Sequence, residues 1–291
     1  MRKLIAGGLM AVLGALVFAS SALGASHNPK GEFAQFGECP LNRATITDCV
    51  LSVSSGGSFT IGKKAVPLKN PVTLQGGYET VGESLAFYGA ENGNTLSKTP
   101  QPVPGGLLGI VAPTWWPKFI QDWFNDQISK GFTGVNATVE LTGPSKGLTK
   151  IKLSTENLLF EEGIALGLPV KIHLENAILG SNCYIGSDAK PVQIDFTTGT
   201  TAPPPPNKPI KGAAGTFSAN PEFTLLTFSG GRLVNNSFAA PAASGCGGIF
   251  SFLVDPLVNS ILGTPAAAGT NTAILEGKIQ DAAASAVKAS E

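Results

Sequence analysis

The chain has 291 residues with 20 basic and 20 acidic side chains, and its 36 glycines and 21 prolines are many for a helical protein. This balance of charge excludes the basic surface on which nucleic-acid binding depends, because such binding displaces counterions from phosphates. We therefore expect no nucleic-acid partner and no electrostatic docking on anionic lipid.

Residues 1–24 are typical of a secretory signal peptide. Basic residues 2 and 3 precede an apolar stretch that ends at Phe18, and small residues follow it. Ala22 and Gly24 suit the shallow pockets of signal peptidase, which predicts cleavage after Gly24. The alternative is an uncleaved membrane anchor, for which the segment is long enough but poor in large aliphatic residues. The prediction is a secreted or cell-envelope protein without a transmembrane segment after cleavage.

Four cysteines follow the predicted cleavage site, and an even number in an exported chain predicts disulfides. We favour the pair Cys39–Cys49, which closes a short loop, together with Cys183–Cys246, which joins distant segments. A metal site is the less favoured interpretation, because the chain has no Cys-x-x-Cys motif and only two histidines. We expect neither a metal nor a cofactor.

Alternation of apolar and polar residues predicts a mainly β protein. The pattern is clearest where Val170, Ile172 and Leu174 share one strand face. Further predicted strands cover residues 59–61, 72–74, 137–141, 151–153, 192–196, 223–228 and 273–279. Glycine pairs at 56–57, 76–77 and 230–231 are expected to form turns between strands. The predicted fold is an antiparallel β-sandwich or a barrel-like arrangement of such strands.

Two segments show helical spacing and are predicted to be short amphipathic helices. Residues 114–130 contain all three tryptophans of the chain, and Thr114 is expected to cap this helix. Residues 255–262 begin with Asp255 as the cap and Pro256 in the first turn, where the missing N–H costs nothing. Gly263 follows the end of this second helix.

Aromatic residues of the first predicted helix are the candidate ligand-binding residues: Trp115, Trp116, Phe119, Trp123 and Phe124. The favoured interpretation packs them inward against a sheet as part of the core. The alternative exposes them as an interfacial anchor or as the mouth of an apolar pocket. The polar face carries Lys118, Asp122 and Asp126, so it is not basic, which weakens the membrane alternative.

The two predicted helices have similar flanks, which suggests a diverged internal duplication. A glycine pair and an apolar run precede each helix, and a Gly-x-Asn loop and a strand follow it. We therefore divide the mature chain into two β-rich halves, residues 25–145 and 146–291. The proline-rich segment 200–209 lies between Cys183 and Cys246, so we predict a surface loop there rather than a domain linker.

The sequence assigns no catalytic residue. His27 is expected in a mobile tail and His173 on the solvated face of a strand, and the nucleophile-elbow motif Gly-x-Ser-x-Gly is absent. Paired carboxylates could hydrolyse glycosides without a histidine. The candidate carboxylates are Glu161, Glu162, Asp188 and Asp195. We interpret the first two as a polar turn and the last as an outward-facing strand residue.

Four strings, taken together, resemble an uncharacterised family of secreted actinobacterial proteins. They are TLQGG at 73–77, PGGLL at 104–108, NCYIGS at 182–187 and TTGTT at 197–201. The resemblance covers most of the mature chain and implies an exported protein of a Gram-positive cell, released or held in the envelope. It implies no activity, so no functional residue is carried over.

These observations favour a non-enzymatic binding or structural module of the cell envelope, with a cell-wall component as its partner. One alternative is a carrier with a pocket for an apolar or lipid-like ligand under the aromatic helix. Another is a carboxylate-based hydrolase of wall polysaccharide. A filled core would favour the module, an enclosed cavity lined by Trp and Phe the carrier, and two inward carboxylates across a groove the hydrolase.

Overall fold

The computed structural model describes residues 27–82, 84–109, 111–130 and 133–291. The predicted signal peptide at residues 1–24 lies outside the described residues. The strands are β1 (Asp48–Ile61), β2 (Lys64–Pro67), β3 (Val72–Val81), β4 (Ser84–Gly89), β5 (Gln101–Pro102), β6 (Asn136–Leu141), β7 (Gly147–Leu148), β8 (Lys152–Leu153), β9 (Leu166–Glu175), β10 (Tyr184–Ile185), β11 (Val192–Phe196), β12 (Thr216–Ala219), β13 (Leu225–Asn235), β14 (Ala243–Ser244) and β15 (Thr272–Ala283). The helices are α1 (Lys118–Lys130), α2 (Thr155–Phe160), α3 (Ser251–Leu262) and α4 (Ala284–Ala289), with 3₁₀ helices at Gly31–Phe36, Gly106–Leu108 and Gly248–Phe250.

Two antiparallel sheets form a sandwich-like arrangement. The first sheet has the order β12-β13-β15-β1-β3-β4-β7, and β2 also pairs with β1. The second has the order β14-β10-β9-β6-β5, and both β8 and β11 pair with β9. The predicted mainly β fold is confirmed as a sandwich, and within the described residues neither sheet closes into a barrel.

The last strand of each half pairs with a strand of the other half. In the first half, β6 pairs with β9, the first long strand of the second half. In the second half, β15 pairs with β1, the first long strand of the first half. Residues 25–145 and 146–291 therefore share both sheets and one main hydrophobic core between the sheets.

The similar flanks of α1 and α3 also have similar backbone conformations. Gly105 and Gly106 have φ of +79° and +51°, and Gly247 and Gly248 have φ of +78° and +59°. Two consecutive left-handed residues suit glycine, which lacks the Cβ atom that opposes this conformation. In both places a 3₁₀ helix begins at the second glycine. The first segment leads through α1 to β6, and the second leads through α3 to β15, so each reaches a strand that pairs with the other half.

The glycine pairs expected to form turns lie inside strands, so that prediction is wrong. The pairs at 56–57, 76–77 and 230–231 belong to β1, β3 and β13. The pairing register with β15 shifts between Ser54 and Gly56 in β1 and between Ser229 and Gly231 in β13. An inserted residue reverses the alternation, so Val50 before the bulge and Phe59 after it both pack on the main core.

The helix boundaries differ from the predicted ones. α1 begins at Lys118 rather than Thr114, because the carbonyl of Pro117 accepts the first helical hydrogen bonds. α3 begins at Ser251, directly after a 3₁₀ helix, so Asp255 lies within it and is not its cap. The Asp255 carboxylate accepts bonds from the amides of Gly245 and Cys246 instead. The short helices α2 and α4 were not predicted.

The first 3₁₀ helix and the C-terminal helix α4 cover the outer face of the first sheet. Phe33 and Phe36 of the first 3₁₀ helix pack with Val287 of α4 in a second hydrophobic cluster. His27 Nδ1 lies 2.6 Å from the Glu291 carboxylate, so the expectation of a mobile tail at this histidine is wrong.

Both disulfides have the pairing favoured from the sequence. Cys39 is joined to Cys49, and Cys183 is joined to Cys246. The proline-rich segment between the last two cysteines is closed at its base by a 2.9 Å bond from Thr201 N to Ile210 O. No helix within the described ranges combines the length and the apolar character needed to cross a bilayer.

Candidate functional site

An apolar cavity of about 90 Å³ lies between the two sheets. It lies at the end of the sandwich where the β1–β2 turn is found. Side chains of both sheets line it, among them Phe59, Ile61 and Leu275 from the first sheet and Val170, Ile172 and Phe196 from the second. The alternating strands form this lining because their apolar faces meet between the sheets.

Polar side chains are few around this cavity. Thr99, Gln101 and Lys64 line it, and among the described lining residues Lys64 alone carries a charge. The Gln101 amide oxygen accepts bonds from the backbone N–H groups of Lys69 and Asn70, so this amide is engaged in supporting the loop after β2. The cavity wall therefore offers little to a polar ligand except at Lys64.

A second cavity of about 30 Å³ continues from the first toward α3. Lys64, Val103, Leu174 and Leu262 line both cavities. The far side of the smaller cavity is formed by α3 and by the 3₁₀ helix before α1. An apolar path thus leads from the interior to the helices at this end of the sandwich.

Lys64 stands where the two cavities meet. Burial of its ammonium group lowers the pKa of this lysine. No salt bridge of Lys64 occurs among the described residues. Its neighbour Lys63 points elsewhere and donates a 3.3 Å bond to the carbonyl of Ser260 in α3.

α1 lies at the same end of the sandwich. Trp123 borders a surface groove together with Pro67 at the end of β2 and Pro102 in β5. The backbone N–H of Ala112 donates to the Asn125 side chain, which holds the preceding loop against the helix. β2 therefore contributes both to the groove at α1 and to the smaller cavity at α3.

Three of the five predicted aromatic residues are exposed. Trp115, Phe119 and Trp123 are 81%, 73% and 64% exposed, so inward packing is wrong for them. Trp116 and Phe124 are half-buried and meet edge to face, with 5.6 Å between ring centres. None of the five lines the cavity between the sheets. The aromatic lining comes from Phe59 and Phe196, which the sequence marks only as inward strand residues.

His173 is less solvated than expected. Its ring stacks on Tyr184 at 4.5 Å, and its Nδ1 lies 3.4 Å from a carboxylate oxygen of Glu175. Only 15% of the side chain is exposed. These residues lie on the outer face of the second sheet, away from the apolar cavity, because Ile172 and Leu174 on the same strand face inward.

Three of the four candidate carboxylates contact different partners. Asp188 contacts Lys171 at 3.0 Å, and Asp195 accepts a bond from Gln193 at 2.7 Å. Glu161 lies 3.4 Å from Lys211. None of these contacts brings two of the candidate carboxylates together, so they do not support a hydrolase.

The described residues contain no group of three or more His, Cys, Asp or Glu side chains arranged to hold a metal ion. No family model matches this sequence, and no curated protein or solved structure is significantly similar to it.

Proposed function

We propose that this is an exported protein that binds an apolar or amphiphilic ligand, whose tail enters the cavity between the sheets. The cavity itself is the observation that carries the proposal. One water molecule needs about 10–15 Å³ and two to four polar partners, and an apolar cavity favours an apolar occupant. Thr99, Gln101 and Lys64 are too few to hydrate a volume of about 90 Å³.

The volume limits the size of the tail. Pockets that enclose a whole drug-sized molecule have about 300–1,000 Å³. The cavity therefore suits a short alkyl chain or the end of a longer one. The remainder of a longer chain would follow the smaller cavity to α3.

Lys64 defines the preferred head group. A tail inserted between the sheets would leave its polar end at the junction of the two cavities, where Lys64 lies. A partly buried ammonium group that forms no salt bridge within the described part of the chain favours an anionic group such as a carboxylate. We propose that the ligand is an amphiphile with an acidic head.

The stability cost of the cavity favours a binding role over a purely structural one. An unfilled cavity costs about 24 cal/mol per Å³, or about 2 kcal/mol for this volume. In a purely structural envelope module, nothing would compensate for this loss of stability. In a carrier, the bound ligand would compensate for it by restoring the missing van der Waals contacts.

The signal-peptide pattern and the two disulfides support export, since disulfides persist in oxidising compartments. Mass spectrometry of protein recovered from a secreting host tests this part of the proposal. The expected mature protein starts at Ala25 and has both cysteine pairs oxidised. Retention of residues 1–24 or free thiols would contradict it.

A cavity-filling variant tests the binding site. In Ala137→Leu the added side chain occupies the cavity, so the affinity for 1-octanol should fall by about tenfold or more. Ala65→Leu is the matched control, because Ala65 is exposed on the opposite face of β2 from Lys64 and Val66. Isothermal titration calorimetry gives both affinities. Equal binding of octanol by the two variants would exclude this cavity as the site.

A pair of lysine variants tests the head group. Lys64→Met should weaken octanoate binding by about tenfold while octanol binding changes little, because the alcohol has no charge to lose. Lys63→Met is the control, since Lys63 contacts α3 and does not line the cavity. Equal octanoate binding by the Lys64→Met and Lys63→Met variants would contradict the proposed acidic head group. It would not contradict the proposed apolar site.

A further inference from the structure

The end of the sandwich around the cavities exposes an unusual amount of apolar surface. Trp115, Phe119 and Trp123 are exposed on one side of α1 and just before it. At α3 the exposed residues, each more than half accessible, are Ile249, Phe250, Phe252, Leu253 and Leu257. We call these eight residues the apolar rim. Monomeric proteins rarely expose large apolar patches that have no partner.

The part of the rim on α3 carries no outward charge. Between Gly248 and Leu262 the only ionisable residue is Asp255, and its carboxylate is bound to the amides of Gly245 and Cys246. On α1, Asp122 is paired with Lys118 at 3.1 Å. Covering this part of the rim with hydrocarbon would therefore bury no unpaired charge from α3.

The composition and the position of the rim identify its partner. Trp and Phe on an amphipathic helix are typical of segments that lie in the interface of a bilayer. Val258 and Leu262 of α3 line the smaller cavity, and so does Leu107 of the 3₁₀ helix that precedes α1 in the chain. Apolar side chains of α3 thus extend from the rim to the smaller cavity. A bilayer is the partner from which an apolar tail could enter along such a path.

We infer that the apolar rim docks on the surface of a phospholipid bilayer, with α1 and α3 lying in the head-group region. Apolar contact drives this docking rather than charge, in keeping with the balanced composition of the chain. The inference goes beyond ligand binding, because it concerns a surface outside the cavity.

Tryptophan fluorescence tests the inference directly. All three tryptophans of the chain lie in or just before α1, at 115, 116 and 123. Phosphatidylcholine vesicles should shift their emission to shorter wavelength, and lipids brominated in the acyl chains should quench it. The protein should float with these vesicles, and phosphatidylglycerol should change the bound fraction less than about threefold.

Rim variants connect the binding to these residues. The double variant Phe252→Ser/Leu253→Ser should reduce vesicle binding by about tenfold or more. Phe119→Ser/Trp123→Ser should do the same, and it gives a second test if the first variant does not fold. The control is Phe217→Ser/Phe223→Ser, which removes two exposed aromatic residues of the β12–β13 hairpin, away from the rim. This control should bind vesicles within about twofold of the wild type.

Two results would overturn the inference. The first is wild-type protein that neither floats with vesicles nor changes its emission. The second is an emission shift that appears without vesicles as protein concentration rises, together with a dimer mass, because the rim would then bind a second copy. Ala137→Leu separates this inference from the proposed function: it should lose octanol binding and keep vesicle binding.

Discussion

Tyr78 and Asp281 are joined inside the sandwich by a hydrogen bond of 2.7 Å from the tyrosine hydroxyl to the carboxylate. Asp48 lies near them at the same end of β1, opposite to the end that holds the cavity. Burial raises the pKa of Asp281 to about 7, and burial also raises the pKa of Asp48. Asp281 therefore keeps its proton in the folded state below about pH 7, and burial shifts the pKa of Asp48 in the same direction.

This arrangement predicts that stability falls as pH rises. Between pH 4 and pH 7 the folded protein holds a proton on Asp281 that the unfolded chain, with a pKa near 3.8, has released. The free energy of unfolding should therefore decrease over this window, by on the order of 4 kcal/mol. Asp281→Asn should remove most of the decrease, as measured by urea denaturation at several pH values.

Asp188→Asn is the control for this pH dependence. A hydrogen bond from Lys171 lowers the pKa of Asp188, so this residue contributes stability at neutral pH that is lost on acidification. Its replacement should change the pH profile with the opposite sign to Asp281→Asn. Parallel profiles for the wild type and Asp281→Asn would show that Asp281 is ionised in the folded state.

The two disulfides should contribute unequally to stability. Cys183 and Cys246 are separated by 63 residues, whereas Cys39 and Cys49 are separated by 10. Loop entropy predicts losses of about 4 kcal/mol for Cys183→Ser/Cys246→Ser and about 3 kcal/mol for Cys39→Ser/Cys49→Ser. Guanidinium denaturation of the two double variants measures both values. A larger loss for the shorter loop would contradict this account.

Gly277 is predicted to be essential for the close packing of β15 against the bulged part of β1. A Cβ atom there would lie 2.0 Å from the carbonyl oxygen of Val53, next to the bulge in β1. Gly277→Ala should lower the free energy of unfolding by at least about 2 kcal/mol. Gly56→Ala is the matched control, because its Cβ would meet Glu276 only at an ordinary 3.4 Å. Thermal denaturation compares the two variants, and equal stabilities would contradict the close packing at Gly277.

The sequence predicted the walls of the cavity but not the cavity itself. Alternation at Val170, Ile172 and Leu174 correctly predicts which side chains face inward. The space between the two sheets depends on how side chains distant in sequence fit together, and no periodic pattern contains that information. The sequence did not identify Lys64 either, because this residue belongs to a short strand without clear alternation.

The helices show a related limit. Helical spacing located both segments, but it does not reveal whether a neighbouring element covers the apolar face. Phe119 and Phe124 follow the same spacing, yet Phe119 is exposed and Phe124 is half-buried. Glycine pairs are equally ambiguous, because a residue without Cβ suits both a turn and a bulge within a strand. The bulge near Gly56 became evident only from its pairing with β15.

The central claim, that an apolar tail occupies the space between the sheets, is tested most directly by locating a bound ligand. Octanoate labelled with ¹³C at its terminal methyl group allows nuclear Overhauser effects to be measured from that methyl to the protein. We predict contacts with Phe196 and Val170, which line the cavity. Contacts confined to exposed residues such as Phe119 and Phe252 would place the ligand outside and contradict the claim.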